Sequence, residues 1–387
     1  MTKSFTLITI YMVAFTGFAG FSWLSVVTPY YFSSLGIGVS DIGLMIAIYA
    51  YVNAIGMFPS SMLSERWGRR KFLIAGLIIA TIAPLLYPLA KDIWVLYLIC
   101  ILHGLGSTLF VPTALAVVTE LSEPGEFGKS IGWYSASAQL GLMAGPIAGG
   151  FILQHFGFVA AYASCGFMPL LSLIFVLIRM RHIPPRTRAN QSQNTQSWGW
   201  LGNRATIISV LSLIMIAVGA SSFNTFIPLY VRGFGINEGV AGMIITACYA
   251  SSASLRIPSG NLSDKFGNAP LVLIGTALSS CAIALIAVFN TAYQIAIAAL
   301  LFGVGIGFAM PAALAWLAKI SPPEKRGLTM GVGSASYQVG LAVGATTLGV
   351  VAQTSGYPFM YLSTACAIGL SAIIMAVLLK TKKRSAP

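Results

Sequence analysis

Twelve long apolar runs leave this chain almost no choice of fold. Their approximate bounds are 6–30, 42–63, 72–90, 93–119, 129–153, 158–180, 205–231, 239–260, 271–289, 292–318, 328–352 and 358–380. About 20 such residues in a helix cross the hydrocarbon core of a bilayer. Within lipid each crossing must satisfy its own backbone hydrogen bonds, so every run is expected to be an α-helix. The first run is too long for a cleaved signal peptide and is expected to stay as a spanning helix. Charged residues are 8% of the chain, against about a quarter in a soluble domain. The net charge of +13 is spread over short loops, which argues against nucleic acid as a partner. Cys100, Cys165, Cys248, Cys281 and Cys366 all fall in apolar runs. Their spacing fits no metal site, and they read as small core residues.

Between the second and third runs lies a short polar turn, Ser61-Met-Leu-Ser-Glu65-Arg66-Trp-Gly68-Arg69-Arg70-Lys71. It reads as a tight connection at a membrane surface. A second copy, Gly260-Asn-Leu-Ser-Asp264-Lys265-Phe-Gly267-Asn268, stands 199 positions further on. At that one offset, and without a gap, Pro29 pairs with Pro228, Tyr31 with Tyr230, Gly36 with Gly235, Pro59 with Pro258 and Gly104 with Gly303. The register continues through Pro124/Pro323, Gln139/Gln338, Gly145/Gly344 and Tyr162/Tyr361. The chain is therefore expected to be a duplication. Residues 1–180 would form one six-helix half and 205–387 the other, joined by a cytoplasmic linker at 181–204. Six crossings per copy make the copies parallel repeats related by an axis along the membrane normal. With the N-terminus inside, Lys91 and Arg232 lie outside and Arg256 lies within the eighth run. The other 19 of the 22 Lys and Arg then lie inside. Basic residues remain on the cytoplasmic side, so both termini are expected to be cytoplasmic in a multi-pass cell-membrane protein.

These residues resemble the major facilitator superfamily over essentially the full length. The loop is similar to that family's G-x-L-[SA]-[DE]-R-x-G-R-[KR] pattern, with Glu65, Arg66, Gly68, Arg69 and Arg70 in place and Ser61 for the first glycine. The fifth run, Gly132-x8-Gly141-x3-Gly145-Pro146-x2-Gly149-Gly150, matches the pattern typical of its antiporters, drug-efflux members especially. The fourth run departs from R-x-x-Q-G: Cys100 and His103 stand at the arginine and glutamine positions, before Gly104. The resemblance implies a secondary transporter with two halves rocking about a central site. Efflux or antiport of an amphipathic drug or metabolite is the leading expectation, and uptake or exchange of an organic anion the alternative. The expected partners are a small-molecule substrate, the bilayer and a proton as coupling ion, with the chain working as a monomer. No nucleotide loop, metal cluster or nucleophile–histidine set is present in the sequence, so neither a cofactor nor an enzymatic activity is expected.

Candidate residues follow. Glu65, Arg66, Gly68, Arg69 and Arg70, with Asp264, Lys265 and Gly267, are gating candidates. Glu65 is expected to meet the N-terminus of the eleventh run near Leu328, and Asp264 that of the fifth near Lys129. The alternative is a solvated loop that only sets topology. Gly141, Gly145, Pro146, Gly149 and Gly150 should pack the fifth run closely, on the eighth. Arg256, about one turn from the end of its run, resembles the helix-8 arginine of monocarboxylate and oxalate transporters. It can hold a carboxylate through two hydrogen bonds or serve as a structural arginine reaching the surface. His103 reads as a proton carrier or as a histidine satisfied by a neighbouring helix. The remaining substrate candidates are Trp23, Ser25, Asn53, Gln139, Asn224, Tyr249, Trp316 and Gln338, chosen because polar groups in hydrocarbon face a cavity or another helix.

Overall fold

The computed structural model describes residues 3–122, 127–180, 202–321 and 326–383, and these are helical almost throughout. Pro124, Pro323 and linker residues 181–201 lie outside the described residues. In chain order the helices are α1 (Lys3–Ser34), α2 (Val39–Trp67), α3 (Arg69–Leu86), α4 (Ile93–Leu121), α5 (Phe127–Arg179) and α6 (Arg204–Arg232). They are followed by α7 (Glu238–Phe266), α8 (Asn268–Val288), α9 (Ala292–Ile320) and α10 (Arg326–Lys383). A 3₁₀ turn, Tyr87–Leu89, extends α3.

Runs 5 and 6 form one element of 53 residues, and runs 11 and 12 one of 58. A straight helix of that length would reach roughly 80 Å, far beyond a hydrocarbon core of about 30 Å. Each instead turns back at a single glycine with left-handed backbone: Gly157 (φ 78°) and Gly356 (φ 81°). The neighbours along α1 record the reversal. Gly141 lies against Phe15 and Gly149 against Trp23. Past the turn, the Tyr162 ring meets Tyr31 at 5.3 Å, Cys165 donates to the Gly20 carbonyl, and Ser172 bonds Thr16. In α10, Gly340 lies against Ile214 before the turn, and the Tyr361 ring meets Tyr230 at 5.2 Å after it. The ten helices of the described residues thus give twelve crossings. Gly157 and Gly356 are themselves repeat mates, as are the other positive-φ glycines, Gly36/Gly235 and Gly68/Gly267.

The chain forms two compact units: Met1–Ile37, Ile48–Gln191 and Ile236–Thr246 in the first, Gly38–Ala47, Ser192–Gly235 and Ala247–Pro387 in the second. The first has an apolar core around Ile10, Leu73, Leu77, Phe110 and Val117. The second has one around Leu213, Leu271, Val272, Ala313 and Leu317. The helix starts repeat too: the Asp92 carboxylate accepts from the Trp94 amide at α4, and the Thr291 hydroxyl accepts from the Gln294 amide at α9. Such caps satisfy amides that have no partner inside the helix.

Two expectations are corrected. Cys281 and Cys366 are exposed rather than core residues, whereas Cys100, Cys165 and Cys248 are buried. In a membrane helix the outward face is as apolar as the core, so hydropathy cannot separate them. Arg256 lies ten residues before the end of α7 at Phe266, nearly three turns in, because the helix continues through the polar Ser259–Lys265 stretch. A bend of 48° follows Arg256, at Pro258, where the ring removes a backbone donor.

Candidate functional site

In the first unit a polar cluster bridges α2 and α4. The Asn53 side chain is fully buried; its amide donates to the Tyr49 carbonyl at 2.8 Å. Its oxygen accepts from Ser107 at 3.1 Å and Thr108 at 3.4 Å. His103, one turn before Ser107 on α4, is buried with its ring against Tyr49 (5.6 Å, 79°) and Tyr87 (6.4 Å). Phe21 of α1 stacks on Tyr49 at 5.1 Å. Asn53 and His103 therefore share one aromatic-walled, hydrogen-bonding patch. Trp23, Ser25 and Gln139 lie elsewhere, on α1 and α5. Trp23 is buried beside Gly149, and its indole N–H has no partner. Ser25 donates to the Ser22 carbonyl at 2.7 Å, and Gln139 is buried. The residues the sequence did not single out here are Phe21, Tyr49, Ser107 and Thr108. Tyr49 stands one turn before Asn53, and that spacing was the available signal.

In the second unit the Tyr249 hydroxyl donates to the Asn224 oxygen at 3.3 Å. Tyr337 lies within electrostatic reach of both Tyr249 and Arg256. The Arg256 Nε is buried and has no hydrogen-bond partner. Tyr337, adjacent to the expected Gln338, is the residue missed here. Gln338 is partly buried. Trp316 packs against the apolar core, with Leu314 and Ile320.

The gating candidates form two versions of one triangle. In the first unit Arg69 is 7% exposed and bridges Glu65 at 2.9 Å and Glu120 at 3.0 Å. It also donates to the Ser64 hydroxyl at 2.6 Å and to the Ser61 carbonyl at 3.3 Å. In the second unit the mates of Glu65, Arg69 and Glu120 are Asp264, Asn268 and Lys319. There the cation sits on α9: Lys319 reaches Asp264 and Asn268, each at 3.3 Å. Asn268 in turn donates to the Ala312 carbonyl at 3.0 Å. Arg66, Lys265, Gly68 and Gly267 are exposed, and the two glycines begin α3 and α8 with φ of 100° and 85°. The Arg70 Nε is buried without a partner.

The glycine motif of the first arm of α5 serves two neighbours. Added Cβ atoms on Gly141, Gly145 and Gly149 would run into Phe15, Ser22 and Trp23 of α1. One step around the helix, Gly150 lies against the Glu238 carbonyl of α7, and the Pro146 carbonyl lies against Gly242. The contact expected with run 8 is thus made by Pro146 and Gly150, while the stripe itself faces α1.

The profile described as Major Facilitator Superfamily matches residues 10–231 and 209–387. The chain is 23% identical over 360 residues to an uncharacterized MFS-type transporter of Methanocaldococcus jannaschii, covering 91% of this chain and 92% of that one. It is 24% identical over 382 residues to multidrug resistance protein 1 of Bacillus subtilis, covering 96% of each. Identity is 24% over 362 residues to the multi-drug resistance efflux pump PmrA of Streptococcus pneumoniae, at 91% and 90% coverage. In fold, it is similar to a bacterial homologue of the human lysosomal transporter Spinster, with a TM-score of 0.84 at 16% identity over 98% of this chain and 97% of that one.

Proposed function

This chain belongs to the Major Facilitator Superfamily, whose members here are multi-pass secondary transporters of small molecules and not enzymes, and we propose that it exports an amphipathic drug or metabolite by antiport. The observation carrying this reading is the Gly141–Gly150 motif, which takes α5 into backbone contact with α1 on one side and α7 on the other. The relatives named for multidrug resistance point the same way. Residues 1–180 and 205–387 act as the two halves, tied by a cytoplasmic linker, with both termini cytoplasmic. They rock about a site near the bilayer midplane. Tyr49, Asn53 and His103 are the substrate contacts of the first unit, and Asn224, Tyr249 and Tyr337 those of the second. The ends of α2 and α7 that carry Glu65 and Asp264 gate the cytoplasmic side. The aromatic faces suit a flat apolar body; the buried amides fix its orientation.

A second reading rests on Arg256. Its Nε is buried without an acceptor, and a substrate carboxylate would satisfy it through a paired contact. Flux into proteoliposomes decides between the two. A fluorescent lipophilic amphipath and radiolabelled small carboxylates are each offered with and without an imposed pH gradient. Export predicts gradient-driven movement of the amphipath alone; movement of the carboxylates alone overturns it in favour of the anion reading.

A further inference from the structure

Within the second unit, a groove runs between α6 and the first arm of α10. At one end of it the two backbones touch, with Gly340 of α10 against the Ile214 carbonyl of α6. Thr206 and Val332 each stand eight residues earlier on their helix, about 12 Å nearer its start. With Ile207, Val210, Leu211 and Ile214 they line a cavity of about 430 Å³. Five of these six side chains are aliphatic. The floor is closed, because Gly333 lies against Leu213, Leu314 and Leu317. The other side is open. Ile207 is exposed, and so are Val339 and Val343, which continue the helical stripe of Val332. Tyr337, five residues after Val332 and so about 140° around the helix, is the residue within electrostatic reach of Arg256. The groove is thus separate from the candidate site, and its open side is an apolar flank that faces lipid.

The first copy has the same helix crossing, Gly141 against the Phe15 carbonyl, but different bulk beside it. The mates of Val210, Ile214 and Val332 are Tyr11, Phe15 and Trp133. Three rings there correspond to three branched aliphatic chains here, so the second copy has space where the first has side chain. An apolar gap gives water no polar partners, and left empty it costs its lining those contacts. Hydrocarbon fits it. The depth of about 12 Å spans most of one leaflet of a core about 30 Å thick. Arg204 begins α6, and Lys380 follows Leu379, which packs on the same core as Val210 and Leu211. Both cations are exposed.

We propose that this groove is a lipid site of the second unit. It takes one acyl chain of an anionic phospholipid from the leaflet in which α6 and α10 begin, and Arg204 and Lys380 draw the head group. Only the name of that leaflet, cytoplasmic, rests on the orientation proposed above. Hydrocarbon gains nothing by leaving hydrocarbon, so the chain is held by fit and the head group by charge.

Phosphatidylglycerol and phosphatidylcholine, each with a diazirine midway along one chain, test this on the full protein in nanodiscs. After irradiation, labelled peptides are mapped by mass spectrometry. In the parent, residues 204–214 and 329–340 should label more than their mates 5–15 and 130–141. Phosphatidylglycerol should be favoured there, and Arg204→Gln and Lys380→Gln should each lower that preference about fivefold, the factor for one cation near an anionic surface. Val332→Trp installs the first copy's residue and should reduce labelling of the groove to the level of the mate peptides with either lipid. Trp133→Val should raise labelling at 5–15 and 130–141, and this gain decides alone should Val332→Trp fail to fold. Equal labelling of all four peptides in the parent, no lipid preference, or tryptophan and valine exchanges without effect would each overturn the proposal. Displacement of the label by excess fluorescent amphipath would make the groove a substrate path and overturn it too. Labelling needs no transport. Absent flux in proteoliposomes therefore overturns the transport reading without touching this readout, and uniform labelling with intact flux overturns the lipid site alone.

Discussion

Replacing the ionic triangle of the first copy by that of the second, Arg69→Asn with Glu120→Lys, isolates what the buried arginine does. Arg69 is 7% exposed and Glu120 11%, while Glu65 is 49% exposed. Removing Arg69 alone strands the Glu120 carboxylate, one of whose oxygens is already buried without a partner. Breaking a buried pair from one side costs about 3–5 kcal/mol. The half-exposed Glu65 loses little, so Arg69→Asn should destabilise by about 3 kcal/mol, the low end of that range. The second copy shows the alternative: Lys319 on Asp264, with side chains 54% and 79% exposed, a class worth about 0–1 kcal/mol. In the double variant the lysine introduced in place of Glu120 would face Glu65 as Lys319 faces Asp264. About 2 of the 3 kcal/mol should return, because no buried acid is left unpaired. Unfolding in mixed micelles, followed by tryptophan fluorescence for the parent, both single variants and the double, measures the coupling directly. A double variant as unstable as Arg69→Asn would refute the argument that burial of Glu120 sets the cost.

Gly145→Val should prevent folding, since a Cβ there runs into Ser22 and the Ala19 carbonyl, whereas Gly132→Ala, with open space around it, should leave yield and melting temperature unchanged in a detergent thermal-shift assay. Gly157→Ala meets nothing sterically but keeps φ at 78°, so it should cost about 1–2 kcal/mol in the same unfolding assay. Arg256→Lys should retain amphipath flux within about twofold; if a carboxylate is the substrate, the paired contact is lost and its flux should fall about tenfold, the factor for one charge-assisted hydrogen bond.

Crossing number and duplication were legible because both are written in hydropathy and in glycine and proline register. Gly36, Gly68 and their mates stand where the chain must turn with positive φ, and glycine is the residue that does so without strain. The turns at Gly157 and Gly356 were bracketed by the gaps between runs. That a single residue makes each turn was not visible, because polar His155 and Ser355 beside them read as loop. Arg69 read as part of a surface loop, since its acid partner Glu120 is 51 residues away. The depth of Arg256 was misjudged because Ser259, Asp264 and Lys265 look like the end of a helix that in fact continues. The candidate site was the least legible part. Asn53 and Tyr249 are polar residues in apolar runs, as expected, yet each is also satisfied by a neighbouring helix. Polarity alone does not separate those roles.

The central claim is that one duplicated bundle exposes its site to one side of the membrane at a time. Spin-label distances at two mate pairs test it most directly, in a background with the five cysteines replaced: Leu35 with Phe234 at one end, Arg66 with Lys265 at the other, all exposed positions. Across conditions that shift the equilibrium, the account predicts that one distance lengthens as the other shortens, with two populations at each pair. A state in which both distances are long together, or two distances that never change, would contradict it.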